Sequence, residues 1–392
     1  MRCSTAWTRC FAAQLVATAT AEQRSRFSGR AQVIARALIS RLGGGARRSR
    51  PVDPRRILIA QHLLLGDTLM LTPLVAKLRE RYPAAELVMA LPEAYAPLYA
   101  RAPYGLRAVG WDPRRPGASA LWREPGFDLA LIPGDNRFSW LALALGARWI
   151  VAFADDRRAA KSWPVDESWR YPPKPAAWGD MVAGLIEGAP PAAYRPALWP
   201  VPFAAPIAAL PAPPYAVLHV GASTQLKRWD PERWAMLASR FAARAIEPVW
   251  SAGRGGEAIV RACDPEARHR SFAGALALPQ IWHLLAGASV LVSPDTGIAH
   301  LGRVVGTPTV ALFGPGSATI TGAGAFWRDM PYRAVTVDPF PCRDQRLLFK
   351  REIAWVRRCG RSLAECPHPR CMDAIGFDAV RAAIASLGIE LD

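Results

Sequence analysis

Ser289–Phe313 reads SVLVSPDTGIAHLGRVVGTPTVALF, and this stretch decides the fold class. Ser289–Ser293 is a short apolar run, the pattern of a strand buried on both faces. Gly297–Val305 follows at helical spacing and is closed by Gly306 and Pro308, residue types that end helices. Thr309–Phe313 is a second apolar run. Two buried strands separated by one helix form a parallel strand–helix–strand unit.

The alternation extends outward from there. Upstream lie helices over Leu278–Leu285 and Glu257–Cys263, a strand over Glu247–Trp250, a helix over Pro231–Arg244 and a strand over Tyr215–Val220. Nine prolines in residues 189–214 then interrupt it, and such a stretch reads as a stiff linker. Further upstream the pattern returns. Ile57–Gln61, Glu86–Leu91, Asp128–Pro133 and Trp149–Phe153 read as strands. Leu71, Leu74, Val75 and Leu78 mark a helix ending near Tyr82-Pro83. The expected organisation is a basic extension (1–56), an α/β domain (57–188), a linker (189–214), a second α/β domain (215–372) and a C-terminal segment (373–392). The helix Asp378–Leu387 in that last segment is a candidate to return to the first domain. In such folds ligands bind beyond the C-terminal ends of the strands, which points to a cleft between the domains.

Composition excludes several classes. The 392 residues are 51% hydrophobic and 21% charged, too apolar for a disordered chain. No apolar run approaches the roughly 20 residues of a membrane-spanning helix. The net charge is +17, but residues 1–56 hold +10 of it and residues 340–371 hold +5. A nearly neutral body with a basic arm fits an anionic surface better than nucleic acid. Seven cysteines, an odd and sparse count, suit a reducing compartment. Phe11–Ala21 loosely resembles a signal peptide but is short and rich in Ala and Thr. Arg30–Leu42 places Val33, Ile34, Ala37, Leu38 and Leu42 at helical spacing among arginines. Such a helix lies on a membrane surface or packs on its own protein.

Neither a glycine-rich dinucleotide fingerprint nor a Walker loop occurs, and no Asp-x-Asp is present to hold a divalent metal on a sugar nucleotide. Three strand-end motifs remain. Leu65-Gly66-Asp67 follows the first strand. His219-Val-Gly221-Ala-Ser223-Thr224-Gln-Leu-Lys227-Arg-Trp229 leads to Asp230-Pro231, an N-cap followed by a first-turn proline. Ser293-Pro-Asp295-Thr296-Gly297-Ile-Ala-His300 opens the helix of the deciding stretch. A small-residue loop with hydroxyls and a lysine, beside a helix start, suits a phosphate-bearing ligand. Each motif also has a plain reading. Asp67 and Asp295 can be helix caps, Lys227 a surface lysine, and His219 and His300 core residues. Cys342, Cys359, Cys366 and Cys371 with His368 are a candidate zinc site, although only Cys366 and Cys371 have ligand-like spacing; reduced structural thiols are the default.

Together the segments ILIAQHLLLGDTLMLTPLVAKLRERYP, VLHVGASTQLKRWDPERW and LVSPDTGIAHLGRVVGTPTVALFGP, in this order and separation, resemble glycosyltransferase family 9, the heptosyltransferases of lipopolysaccharide core assembly. The resemblance covers roughly Ile57–Ile375. It implies a GT-B fold, two Rossmann-like doubly wound domains facing a central cleft, with the acceptor bound mainly by the first and the nucleotide sugar by the second. It implies Asp67 as general base, and Ser223, Thr224 and Lys227 on the diphosphate. Glu257 would touch the ribose, and Asp295, Thr296, Gly297 and His300 sugar and phosphate. The implied activity is inverting transfer of a heptose or related sugar, without metal or cofactor. The donor would be a nucleotide diphosphate sugar, ADP-heptose first, and the acceptor a glycolipid. The enzyme would work in the cytoplasm, on the inner face of the inner membrane, with no nucleic acid partner. The alternative is a non-catalytic nucleotide-sugar or carbohydrate-binding protein on the same fold. His62, Leu63 and Leu64 depart from the pattern, standing where the family usually has serines.

Overall fold

The structure, a computed structural model, describes residues 28–42 and 49–391. The signal-like stretch, Cys3 and Cys10 lie outside the described residues. Contacts divide the chain into two units. One comprises residues 1–62, 84–96 and 107–168, the other residues 63–83, 97–106 and 169–392.

The first unit is built on a six-stranded sheet of β1 (Arg56–Ala60), β2 (Glu86–Leu91), β3 (Leu106–Gly110), β4 (Leu129–Ile132), β5 (Trp149–Phe153) and β6 (Glu167–Trp169), in the order β3-β2-β1-β4-β5-β6. β1 pairs in parallel with β2 on one side and β4 on the other. Ile57, Leu58 and Ile59 are wholly buried, as a central strand covered on both faces requires. Arg56 ties the start of β1 to Glu86 at 2.7 Å and Glu124 at 2.8 Å.

Residues 28–42 are helical, as the spacing predicts. The helix is not a detached arm: Val33 and Ala37 enter the core of this unit. Arg36 lies over the Trp122 ring at 4.3 Å and Arg41 over Trp163 at 4.6 Å. Of the two readings its spacing allows, packing on its own protein holds for this face of the helix. The buried face is narrower than the apolar spacing suggests, because Ile34, Leu38 and Leu42 stay exposed.

The second unit carries β7 (Tyr215–His219), β8 (Glu247–Ser251), β9 (Arg270–Ser271), β10 (Val290–Pro294), β11 (Thr309–Phe313) and β12 (Tyr332–Thr336), in the order β12-β11-β10-β7-β8-β9. Every neighbouring pair is parallel. The Pro-rich stretch holds one short 3-10 turn, Pro196–Leu198, and its Tyr194 and Trp199 are pinned within this unit. Tyr194 donates its hydroxyl to the Val304 carbonyl at 2.7 Å, and Trp199 its indole N–H to that of Leu98 at 3.2 Å.

The last helix, Phe377–Ala385, packs on the second sheet and does not return to the first. Val380 and Ile384 are fully buried in that core, each worth about 1.5–3 kcal/mol on transfer from water. The Trp229 indole and the Arg233 guanidinium both donate to the Ile375 carbonyl and fasten the segment there.

Candidate active site

Strand order places the site. In the second sheet the chain leaves β7 toward β8 and β9, then returns to β10 on β7's other side. The loops after β7 and β10 therefore part company at the switch point, where open α/β sheets bind ligands. They are the second and third sequence motifs.

After β7, the Thr224 hydroxyl accepts from the Leu226 N–H and caps the turn Gln225–Lys227. That turn delivers the Lys227 ammonium to Asp295, where it donates to the backbone carbonyl at 2.7 Å and to Oδ2 at 3.1 Å. Asp230 then caps the helix Pro231–Ala243 through the Glu232 N–H, as the sequence predicts.

After β10, Thr296 caps the helix Gly297–Val305 by accepting from the Ile298 N–H. Asp295 is buried, and the Thr321 hydroxyl donates to its Oδ1 at 3.4 Å. A Cβ on Gly316 would lie 2.4 Å from its Oδ2, so only glycine lets that backbone so close. His300 Nδ1 is 2.8 Å from an Arg303 nitrogen, and arginine only donates, so Nδ1 accepts and the ring proton sits on Nε2. Nε2 lies 3.8 Å from Asp295 Oδ1. Burial, then the charges of Arg303 and Lys227, hold the His300 pKa well below the ordinary range, so the ring is neutral. Arg303 itself is buried between the Trp327 and Tyr332 rings and donates to the Gly322 carbonyl at 2.6 Å.

Asp67 sits in the first turn of the short helix Leu65–Leu69, inside the helix and not at its cap. Two glycines bring this helix against the start of Gly297–Val305. A Cβ on Gly66 would lie 2.6 Å from the His300 ring, and one on Gly297 would lie 2.9 Å from Leu65. The glycines of the first and third motifs thus serve one contact. Burial pushes the Asp67 pKa up to about 6, the negative charge of Asp295 adds to this, and Lys227 and Arg358 oppose it. A half-buried carboxyl of that basicity is suited to accept a proton near neutral pH.

Asp67, Lys227, Asp295, Thr296, Gly297 and His300 therefore come together, with Thr224 shaping the lysine's loop. Ser223 and Glu257 are exposed at the same strand edge, and their side chains make no hydrogen bond to the others. Glu257 opens the helix Glu257–Cys263 after β8, beside Gly274. His219 is buried, bonded to Ser251 Oγ at 3.0 Å, and burial pushes its pKa down to about 4. Sequence reading missed Arg303 and Arg358. The one is three residues after His300 on the same helix; the other carries no local signal. The Cys359 sulfur accepts from the Arg361 N–H at 3.4 Å, and among the described residues no group of three or more His, Cys, Asp or Glu is arranged to hold a metal ion.

Two doubly wound sheets in one chain, with a phosphate-type loop at the switch point of the second, are the GT-B arrangement of glycosyltransferases. Comparison with known proteins agrees. Residues 122–334 match glycosyltransferase family 9 (heptosyltransferase). Lipopolysaccharide heptosyltransferase 1 of Pseudomonas aeruginosa is 24% identical over 298 residues, covering 68% of this chain and 81% of that one. The solved structure of E. coli ADP-heptose lipopolysaccharide heptosyltransferase II superposes with a TM-score of 0.59 at 19% identity, covering 86% of this chain and 100% of that one. E. coli heptosyltransferase WaaC with ADP gives 0.58 at 18% identity, covering 71% and 92%. The chain belongs to glycosyltransferase family 9 and is a glycosyltransferase.

Proposed function

We propose that the protein is an inverting, metal-independent transferase. It moves a heptose, or a related sugar, from an ADP-sugar to the lipopolysaccharide core or a similar lipid-linked glycan. The observation that carries this reading is Asp67, a carboxyl with a pKa of about 6 set beside the Lys227–Asp295 pair. Inversion in one displacement needs one base on the acceptor hydroxyl, and Asp67 serves as that base. The leaving diphosphate needs fixed positive groups and no proton; Lys227 and the helix start at Thr296-Gly297 supply them. Ser223 and Thr224 line the diphosphate, Glu257 the ribose, and Asp295 and His300 the sugar side. The E. coli heptosyltransferase WaaC structures hold ADP and ADP-2-deoxy-2-fluoro heptose, which supports the choice of nucleotide.

The test is transfer by pure protein from ADP-, UDP- and GDP-sugars to a heptose-deficient lipopolysaccharide acceptor, with and without EDTA. Transfer from ADP-heptose at an undiminished rate in EDTA is expected. A requirement for added magnesium, or binding of donor without transfer or hydrolysis, would contradict the reading.

We further propose that the helix at residues 28–42 holds the enzyme to the inner face of the inner membrane. No helix among the described residues is long and apolar enough to cross a membrane. Its outer side instead presents Ile34, Leu38, Ile39 and Leu42, the last 87% exposed, among arginines. Replacing these four by Ser leaves Val33 and Ala37 in place, so the fold is expected to survive. Binding to anionic vesicles is expected to fall several-fold and, in wild type, to weaken with salt. Unchanged binding by the variant would remove the membrane role.

A further inference from the structure

Residues 340–371 carry a net charge of +5; of their seven arginines, Arg343, Arg351, Arg357 and Arg361 donate within the protein and Arg346 and Arg370 are exposed. Arg343 is buried and donates to the carbonyls of Gly314 and Phe313 at 2.9 Å, at the end of β11. Arg357 donates to the Ala354 and Val356 carbonyls, and Arg361 grips the Asp344 carboxylate. Arg358 differs. It is half-buried, and its guanidinium has no hydrogen bond or ion pair among the described residues.

Its backbone, by contrast, is held tightly. Arg358 and Gln345 exchange both backbone hydrogen bonds, at 3.0 and 3.2 Å, and the next residue, Cys359, donates to the Pro315 carbonyl at 3.0 Å. Pro315 precedes Gly316, whose backbone lies against the Asp295 carboxylate. The segment is thus moored to the strand edge that carries the site. Arg358 is close enough to Asp67 for its positive charge to act on that carboxyl. Lys227, the other cation there, is already bonded twice to Asp295.

A moored, half-buried guanidinium with all its donors open is prepared for an oxyanion, which it can grip with two parallel hydrogen bonds. We propose that Arg358 binds a phosphate oxygen of a substrate beside Asp67, and is a binding residue of the transfer reaction proposed above. The phosphate comes either from the donor's diphosphate or from a phosphorylated acceptor sugar.

The test compares wild type, Arg358→Gln and Arg358→Lys in the full chain. Calorimetry with ADP and ADP-heptose reads the donor; KM for phosphorylated and dephosphorylated acceptor reads the other source. Arg358→Gln is expected to keep its melting temperature at pH 5, where Asp67 is mostly protonated, since no hydrogen bond or ion pair is lost. It is expected to weaken one of these two interactions about 10- to 100-fold, the range for a charge-assisted hydrogen bond. Arg358→Lys is expected to restore part of it. A donor-side loss appears in ADP affinity. An acceptor-side loss appears in KM, and only for the phosphorylated acceptor. The charged groups facing Asp67 are Asp295, Lys227 and Arg358, with His300 neutral, so Arg358→Gln is also expected to move the acid limb of kcat to higher pH. Unchanged donor affinity together with unchanged acceptor KM would overturn the proposal. Wild type that neither binds ADP nor transfers from any donor would overturn the reading it rests on, and the proposal with it.

Discussion

Asp67→Asn is expected to slow turnover by about 10²–10⁴-fold, the scale for loss of a general base. Donor affinity is expected to stay within a few-fold, and the melting temperature at neutral pH to rise. The last outcome follows from linkage. The folded-state pKa of Asp67 is about 6, above the ordinary aspartate value. Unfolding therefore releases a proton between those two values, and above pH 6 the folded state carries an unfavourable buried charge. Asparagine removes that charge while keeping the shape. In wild type the same titration makes kcat fall as pH drops through about 6. Turnover and donor affinity, beside thermal melts at pH 5 and pH 7.5, check the set. Near-normal turnover would leave Asp67 with no role in proton transfer. Lost donor affinity at normal turnover would assign it to donor binding instead.

Lys227→Ala is expected to lower kcat/KM by about 10²–10³-fold, comparable to losing one fixed donor at a developing charge. Its stability effect is expected to have the opposite sign to that of Asp67→Asn. Lys227 is bonded to Asp295, whose side chain is only 9% exposed, and removing one partner of a buried pair leaves the other uncompensated. The melting temperature is therefore expected to drop. Lys227 also holds the Asp67 pKa down, so its loss is expected to push the acid limb of kcat upward. Rates over pH 5–9 with thermal melts separate these effects. An unaltered ADP affinity in Lys227→Ala would show that the ammonium serves only to position Asp295.

The parts of the fold legible in the sequence are those where local pattern and burial agree. The stretch from Ser289 to Phe313 forms β10, a helix and β11 within a residue or two of expectation, because each strand is buried on both faces. β3, β6, β9 and β12 escaped the reading. All four are edge strands, and in β3 and β12 the apolar run is broken by the exposed Arg107 and Arg333. The helix at residues 28–42 was legible, but not which of its apolar residues face inward, since spacing fixes a face without saying what covers it. Asp67, Lys227 and Asp295 stood out because each follows a strand at a turn. Arg303 looks like a surface residue on its helix until the Trp327 and Tyr332 rings close over it. Arg358 is carried into place by long-range backbone bonds to Gln345 and from Cys359 to Pro315, for which no local pattern exists.

The contact between Gly66 and His300 has a mechanical meaning. Each bare glycine lies against a side chain of the other helix, Gly66 against the His300 ring and Gly297 against Leu65, and so close a contact leaves little slack to absorb a displacement. The base and the loop after β10 behave as two ends of one stiff strut. A ligand that shifts Gly297 by a fraction of an ångström shifts Leu65 with it, and so resets where Asp67 aims. Arrival at one end is felt at the other as a push, without a hinge in between.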